Sequence, residues 1–238
     1  MKRSREHTAL NCGNALFPRA ARYNPEWVIA SAGGGANPLW LTGWLAESLE
    51  LQPEMKVLDL GCGRAASSIF LHREFGVRVW AIVSIDSFPY YGTDDLYLNY
   101  LARFVKPGGQ LGIAGAGLTK EIEGALPEHL REWWTPDLWC LHSPDWWRRH
   151  WERTGIVDIE VADSMRDGWQ RWLDWHHTVA PDNRTEIAAV EADRGGYLGY
   201  GRVVGRRRSG VVLEEPITSL PANYAKKPLT KRAAKRSR

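Results

Sequence analysis

The segment that decides the fold is Lys56-Val-Leu-Asp-Leu-Gly-Cys-Gly-Arg-Ala-Ala-Ser-Ser-Ile-Phe70. An apolar run ends at Asp59, two glycines follow at Gly61 and Gly63, and a segment with apolar residues at helical spacing comes next. This order predicts a strand, a tight turn and a helix. Glycine lets the backbone turn sharply and lets a ligand approach where a Cβ would clash. The first N–H groups of the helix are unpaired, so they can bind a ligand that lies over the turn.

Asp-Leu-Gly-Cys-Gly resembles motif I of the class I S-adenosylmethionine (SAM) methyltransferases. It is not the dinucleotide-binding fingerprint, because Ser67 stands where a third glycine would be needed. The resemblance implies an α/β fold, with a Rossmann-like, mostly parallel sheet, flanking helices and a helical cap. It implies SAM as the cofactor, with its methionine half over the turn. The cofactor-binding residues would then be Asp59, Gly61, Cys62 and Gly63.

A second motif supports the same resemblance. Val105-Lys-Pro-Gly-Gly109 precedes the apolar run Gln110–Ala114 and is similar to the family's entry to its fifth strand. Proline fixes one corner of such a turn, and the glycines allow positive φ. With both motifs in this order, the resemblance covers about residues 37–205.

The middle of the chain is shorter than the family pattern. Gly76–Ala81 is predicted as the second strand, but the acid that pairs with the ribose hydroxyls in the family is missing from its end. The chain continues directly into Ile82-Val-Ser-Ile-Asp86, which resembles the family's fourth strand. We infer that roughly 40 residues, about one βα unit, are absent, since a βαβ unit alone needs about 30.

Two interpretations of this short middle are open. In the first, Asp86 ends the fourth strand and the ribose acid is lost. In the second, a single hybrid strand covers 77–86, and Asp86 is both the residue at the end of the fourth strand and the acid that pairs with the ribose. The continuity of the following segments with the family pattern favours the first.

The loop after Asp86 is where the family places SAM and the methyl acceptor side by side. The resemblance therefore assigns Asp86 and Ser87 to cofactor binding, and Tyr90 and Tyr91 to the acceptor pocket as candidate catalytic residues. Each has a structural alternative, which is a strand-end turn for Asp86 and core packing for the tyrosines.

His142 is the third candidate catalytic residue. It precedes a well-formed helix start, Ser143-Pro144-Asp145. An imidazole titrates near neutral pH and can deprotonate an acceptor, although packing beside the helix is the structural alternative. No metal site is predicted, because His176-His177 lack a third ligand at metal spacing and no C-x-x-C pair is present.

The chain is predicted to form one methyltransferase-like domain with added segments. Two N-terminal helices would begin at Asn24-Pro25 and Asn37-Pro38, with the glycine run 33–35 as a hinge between them. The resemblance implies that they form a lid over the SAM pocket, although packing on the sheet edge is equally open for the second helix. The predicted boundaries are 1–205 for the domain, 1–52 for the lid helices, 115–142 and 163–194 for cap insertions, and 206–238 for a basic, disordered tail.

Charge and composition limit the partners. The net charge is +3, yet residues 206–238 hold ten Lys/Arg against two Glu, so the tail is +8 and the body −5. An acidic body argues against nucleic acid as the main partner, apart from weak contacts by the tail. No apolar run could span a membrane, no secretory signal is visible, and the three cysteines are scattered. These features predict a cytoplasmic protein with no membrane partner.

The predicted function is SAM-dependent methyl transfer to a small-molecule acceptor. Nine of the 13 tryptophans fall between residues 133 and 175, which predicts either a core between cap and sheet or an aromatic cage for a cationic amine. The alternative function is a catalytically impaired, methyltransferase-like binding protein that lacks the ribose- and adenine-binding segment. The missing strands would leave an exposed seam, which favours a homo-oligomer.

Overall fold

The computed structural model describes residues 16–32, 35–78, 82–94 and 96–213. Within these ranges the strands are β1 (Ile82–Ile85), β2 (Gln110–Leu118), β3 (Val157–Ser164) and β4 (Leu198–Arg207). The α-helices are α1 (Pro25–Ser31), α2 (Pro38–Ala46), α3 (Ala66–Phe75), α4 (Pro89–Gly92), α5 (Tyr97–Ala102), α6 (Pro144–Glu152), α7 (Gly168–Val179) and α8 (Arg184–Asp193). Short 3-10 turns lie at Ala20–Arg22, Glu128–Leu130 and Pro136–Cys140.

The four strands form one sheet in the order β1-β2-β4-β3. β1 and β2 are parallel, and β4 is antiparallel to both β2 and β3. Three of the four strands point the same way, but only β1 and β2 are neighbours in parallel, so the sheet is mixed; the predicted α/β fold with flanking helices is confirmed. β4, the last strand along the chain, lies inside the sheet between β2 and β3. Glycines let β4 sit inside the sheet under α6, since Gly201 packs on Pro144 and Gly205 on Trp151.

The motif segment, residues 55–60, lies beside β1. Val83 donates its N–H to Leu58 and accepts from Leu60, both at 2.8 Å, whereas the N–H of Val57 donates to Arg78. Alternation of partners along the chain is typical of an extended segment bonded on both edges. β1 and Arg78 therefore lie on opposite edges of the motif segment. This supports the interpretation that Asp86 follows a separate fourth strand. Residues 79–81 of the predicted second strand lie outside the described residues.

Helices cover both faces of the sheet. The core on one face includes residues of α2, α3, α7 and α8, and the core on the other includes residues of α5 and α6. Seven tryptophans are buried in these cores, namely Trp40, Trp44, Trp146, Trp147, Trp151, Trp172 and Trp175. Most of the tryptophan-rich segment that the structure describes therefore serves packing between helices and sheet.

Local capping explains where the helices begin. The side chains of Asn24 and Asn37 each accept hydrogen bonds from two N–H groups at the starts of α1 and α2, and Ser143 does the same for one N–H of α6. A proline follows each cap at the first helical position, where its missing N–H is not needed. These three helix starts are as predicted.

Two predicted boundaries differ from the observed strands. β2 continues through Leu118, so its last residues occupy the beginning of the predicted insertion 115–142. β4 extends to Arg207 and so includes the first residues of the predicted tail. Residues 214–238, on which the disorder prediction mainly falls, lie outside the described residues, as do residues 1–15. Across the described ranges, no helix has the length and apolar character needed to cross a bilayer.

Ion pairs join β3 to β4. Arg202 pairs with Asp163 at 2.8 Å, and Arg206 pairs with Glu160. Arg208, directly after β4, pairs with Asp158 at 2.6 Å, and its N–H donates to the carbonyl of Ile156. The run of arginines at 206–208 is therefore part of the folded domain.

Candidate active site

The motif turn and the loop after β1 pack directly on each other. Gly61 has φ +77°, and a Cβ built on it would lie 2.3 Å from Oγ of Ser87. The same Oγ donates to the carbonyl of Leu60 at 3.1 Å. Only glycine at position 61 lets the two loops meet at this distance, so its role within the chain is close packing.

A cluster of three hydroxyls holds the loop after β1. Ser84, Ser87 and Tyr91 are mutually within 2.8–3.0 Å through their side-chain oxygens. The structure thus places Ser87 and Tyr91 beside the motif turn. The hydroxyl groups of both are already hydrogen-bonded to other atoms of the protein. Their observed contacts fasten this loop to the turn.

The open side of the turn lies at Gly63. Its φ is +50°, and a Cβ built there would meet no atom within 4 Å. Cys62, between the two glycines, is exposed and is a free thiol. The turn therefore presents accessible backbone at residues 62 and 63, where a ligand can approach.

Asp59 caps the helix that follows the turn. The residue before α3, Ala65, has φ 62° and provides no side-chain cap. Instead, Oδ2 of Asp59 accepts hydrogen bonds from the hydroxyls of Ser67 and Ser68, the latter at 2.7 Å. Burial raises the pKa of Asp59, although these hydrogen bonds oppose the shift. Its other oxygen, Oδ1, is buried and has no partner among the described residues.

Asp86 directly follows β1 and has a left-handed conformation, with φ 54°. Aspartate tolerates this region better than most side chains. Its Oδ1 accepts the N–H of Ala116 at 3.0 Å. Burial raises the pKa of the Asp86 carboxyl to about 6, against the lowering effect of hydrogen bonds from the N–H groups of Ala116 and Ala36. A carboxyl with this pKa can change its charge near physiological pH.

The N-terminal segment contacts both loops of the site. A Cβ on Gly35 would lie 3.0 Å from Oδ2 of Asp86, so the backbone there covers this carboxylate. At the motif turn, the guanidinium of Arg64 donates a hydrogen bond to the carbonyl of Ala30 in α1. Gly33 and Gly34 of the predicted hinge lie outside the described residues.

His142 is paired with a carboxylate. Its Nδ1 lies 3.0 Å from Oε2 of Glu121, and its ring stacks on Trp146 at 3.6 Å between ring centres. Burial would raise the pKa of Glu121, but hydrogen bonds from His142 and from the N–H of Ser143 lower it overall. His142 and Pro89 also line the same small cavity, of about 20 Å³, so the histidine lies near the loop after β1.

Tyr90 lies on the outside of this region. Its side chain is 63% exposed. The helix that contains it, α4, contacts the 3-10 turn Pro136–Cys140. Tyr90 is therefore placed at the rim between the loop after β1 and the cap.

A buried polar group that the sequence pattern does not indicate lies beneath the cap. Glu186 of α8 accepts from Trp172 Nε1 at 2.8 Å and lies 3.0 Å from Nε2 of His176. Tyr200 stacks on Trp172 with 5.7 Å between ring centres. The sequence contains little sign of it, because His176 has no third ligand at metal spacing; the glycines on either side of Tyr200 indicate that this ring is closely packed.

No protein-family profile matches the chain, and no curated protein sequence matches it either. Solved structures do. Phosphoethanolamine N-methyltransferase 2 of Haemonchus contortus, in complex with SAM, aligns with a TM-score of 0.55 and 16% identity, over 77% of this chain and 56% of that one. The chain has the fold of the SAM-dependent methyltransferases.

Other methyltransferases share the fold. The geranyl diphosphate C-methyltransferase of Streptomyces coelicolor A3(2), in complex with Mg²⁺, geranyl diphosphate and S-adenosyl-L-homocysteine, gives a TM-score of 0.52 and 18% identity, over 70% of this chain and 77% of that chain. A mycolic acid cyclopropane synthase gives a TM-score of 0.51 and 14% identity, over 70% and 82%. The chain thus spans just over half of the Haemonchus methyltransferase and most of the other two.

Proposed function

We propose that the chain is a SAM-dependent methyltransferase that acts on a small-molecule acceptor. One observation carries the proposal, namely the accessible turn at Gly63 beside the loop of Asp86 in a methyltransferase fold. Both lie at the carboxyl ends of adjacent parallel strands, where ligands bind in open α/β sheets.

The residues present fit the methionine half of SAM. The backbone of Gly61, Cys62 and Gly63 can lie under it, and the unpartnered Oδ1 of Asp59 can accept from its amino group. The ribose and adenine half fits less well, because Val79-Trp80-Ala81 offers no acid at the end of the predicted second strand. When bound, SAM would supply a methyl group already activated by the sulfonium charge.

The chain's own residues would position the acceptor and exclude water. Nε2 of His142 has no hydrogen-bond partner among the described residues, while Glu121 fixes the ring through Nδ1. This pair is suited to accept a proton from the acceptor. In our proposal Tyr90 lines the entrance, and Tyr91 with Ser87 fixes the loop that separates cofactor from acceptor.

The cellular context is part of the proposal. The two cysteines that the structure describes, Cys62 and Cys140, are free thiols, which fits a reducing cytoplasm. Assembly into a homo-oligomer and weak nucleic-acid contacts by residues 206–238 stay predictions.

The test is calorimetric binding of SAM and S-adenosylhomocysteine to the 238-residue chain. Gly63→Val places a side chain in the open space over the turn and should weaken binding at least tenfold. Gly124→Val is the matched control, because Gly124 also has positive φ (+89°) and no atom within 4 Å of a Cβ. Gly61→Val is a poorer probe, since it would collide with Ser87.

Each outcome has a clear meaning. Binding that only Gly63→Val weakens supports the proposed site. A folded wild-type chain that binds neither ligand would contradict it and favour the alternative, a methyltransferase-like binding protein that has lost the cofactor.

A further inference from the structure

The hydroxyl of Tyr200 is buried and has no hydrogen-bond partner among the residues that the structure describes. Tyr200 is 2% exposed, and its ring is fixed by stacking on Trp172 at an interplanar angle of 11°. An unpaired buried hydroxyl lowers stability, so native proteins rarely retain one. Sites at which a chain departs from good packing are commonly sites of function.

Tyr200 and Asp86 both lie beside Ala116 of β2. Ala116 faces Tyr200 in the register of β2 and β4. The N–H of the same Ala116 donates to the carboxylate of Asp86 at 3.0 Å. Tyr200 and Asp86 therefore flank the same residue of β2 from its two edges, next to the loop that carries the candidate active site. The backbone of Gly35 lies against the other carboxylate oxygen of Asp86.

The surroundings of the hydroxyl are negatively charged. Burial and the carboxylates of Asp86, Glu186 and Asp174 all raise the pKa of Tyr200, so the phenol is neutral. Glu186 is neutralised by His176 at 3.0 Å, and Asp174 by Arg171 at 3.0 Å. Within the described ranges Asp86 is in no ion pair, and its hydrogen-bond donors are backbone N–H groups. Such an environment repels an anion and attracts a cation.

We propose that Tyr200 and Asp86 bind the amino group of the methyl acceptor, which makes the acceptor a small amine that arrives as an ammonium ion. An ammonium group offers several N–H donors, which the carboxylate and the oxygen lone pairs of a neutral phenol can accept. An alcohol offers one donor and no charge. The inference rests on the proposed function only in that the bound amine is called a methyl acceptor. The binding itself can be measured without methyl transfer.

The experiment titrates the full chain with n-butylammonium and, separately, with n-butanol, with ligand-observed NMR as the readout. Wild type should bind butylammonium at least tenfold more tightly than butanol. Tyr200→Phe keeps the ring and removes only the hydroxyl, and it should weaken butylammonium binding about fivefold, as expected for one lost hydrogen bond. Asp86→Asn should remove the preference for the amine. Tyr197→Phe, directly before the same strand, is the control and should bind as wild type does.

Thermal unfolding of Tyr200→Phe gives an independent readout. Because the hydroxyl has no partner, its removal should leave the melting temperature unchanged or raise it. A lower melting temperature would reveal a structural role for the hydroxyl and overturn the proposal. Equal binding of the two ligands, no binding of butylammonium, or unchanged binding by Tyr200→Phe would overturn it as well. Calorimetry with S-adenosylhomocysteine on the same samples reports separately on the proposed function.

Discussion

A Cβ on Gly61 would lie 2.3 Å from Oγ and 2.8 Å from Cβ of Ser87. This contact joins the motif turn to the loop after β1, so the two halves of the candidate site are held by one close approach. The glycine that the sequence pattern assigns to cofactor binding is therefore also required by the protein's own packing.

The first prediction separates the two glycines of the turn. Gly61→Ala should destabilise the protein by about 2–4 kcal/mol, because overpacking adds to the strain of positive φ. Gly63→Ala should cost only about 1 kcal/mol, since its Cβ meets no atom. Urea unfolding measures both. Ser87→Gly should recover part of the loss in Gly61→Ala; no recovery would show that the contact is not the cause.

The second prediction concerns the cap that Asp59 provides for α3. Asp59→Ala should lower the free energy of unfolding by about 1–2 kcal/mol, the usual effect of losing a helix N-cap. Ser68→Ala should cost less, and the double variant should show a coupling energy of about 1 kcal/mol. Chemical denaturation of the four proteins gives this cycle. Additive effects would argue against the hydrogen bond.

The third prediction is a pH dependence from Asp86. Its pKa is about 6 in the folded protein and near the ordinary value of 3.8 in the unfolded chain. The unfolded state therefore loses its proton first, and wild type loses stability relative to Asp86→Asn as the pH rises from 4 to 7. The difference should change by about 2 kcal/mol. Asparagine also tolerates the left-handed backbone at this position.

Denaturation of wild type and Asp86→Asn at several pH values measures this difference. Asp94→Asn, at an exposed position outside the site, controls for general effects of removing a carboxylate. A difference that does not vary with pH between 4 and 7 would contradict the raised pKa.

The fourth prediction concerns His176 and Glu186. Burial lowers the pKa of His176, but the hydrogen bond and charge of Glu186 outweigh it and raise the pKa overall. In Glu186→Gln the charge of Glu186 is lost, so the pKa of His176 should fall. An NMR titration of the histidine ring protons measures this. His177, whose carboxylate neighbour is Glu191, provides an internal control, and an unchanged His176 would contradict the pairing.

Local patterns predicted most of the described fold. Asn-Pro and Ser-Pro pairs marked three helix starts correctly, because a cap and the first helical position are set by adjacent residues. The two glycine turns also marked the start of α3 and the start of β2. The interior place of β4 did not follow, because it depends on contacts of Gly201 and Gly205 with α6, far away in sequence.

Side-chain partners in the candidate site were harder to predict. Asp59 was identified, but its bonds to Ser67 and Ser68 depend on how the turn folds back on α3. The pairing of His142 with Glu121 and the position of Tyr200 depend on packing between cap and sheet. Sequence spacing carries no information about such contacts, so they become visible only in the folded chain.

The arginines at 206–208 change the charge balance between domain and tail. They lie in β4 or directly after it and pair or bond with folded residues. Assigning these three positive charges to the domain changes its net charge from −5 to −2. A domain this close to neutrality has little electrostatic repulsion between copies. Colloidal stability would then depend largely on the charged residues within 214–238, so truncating this segment should favour precipitation.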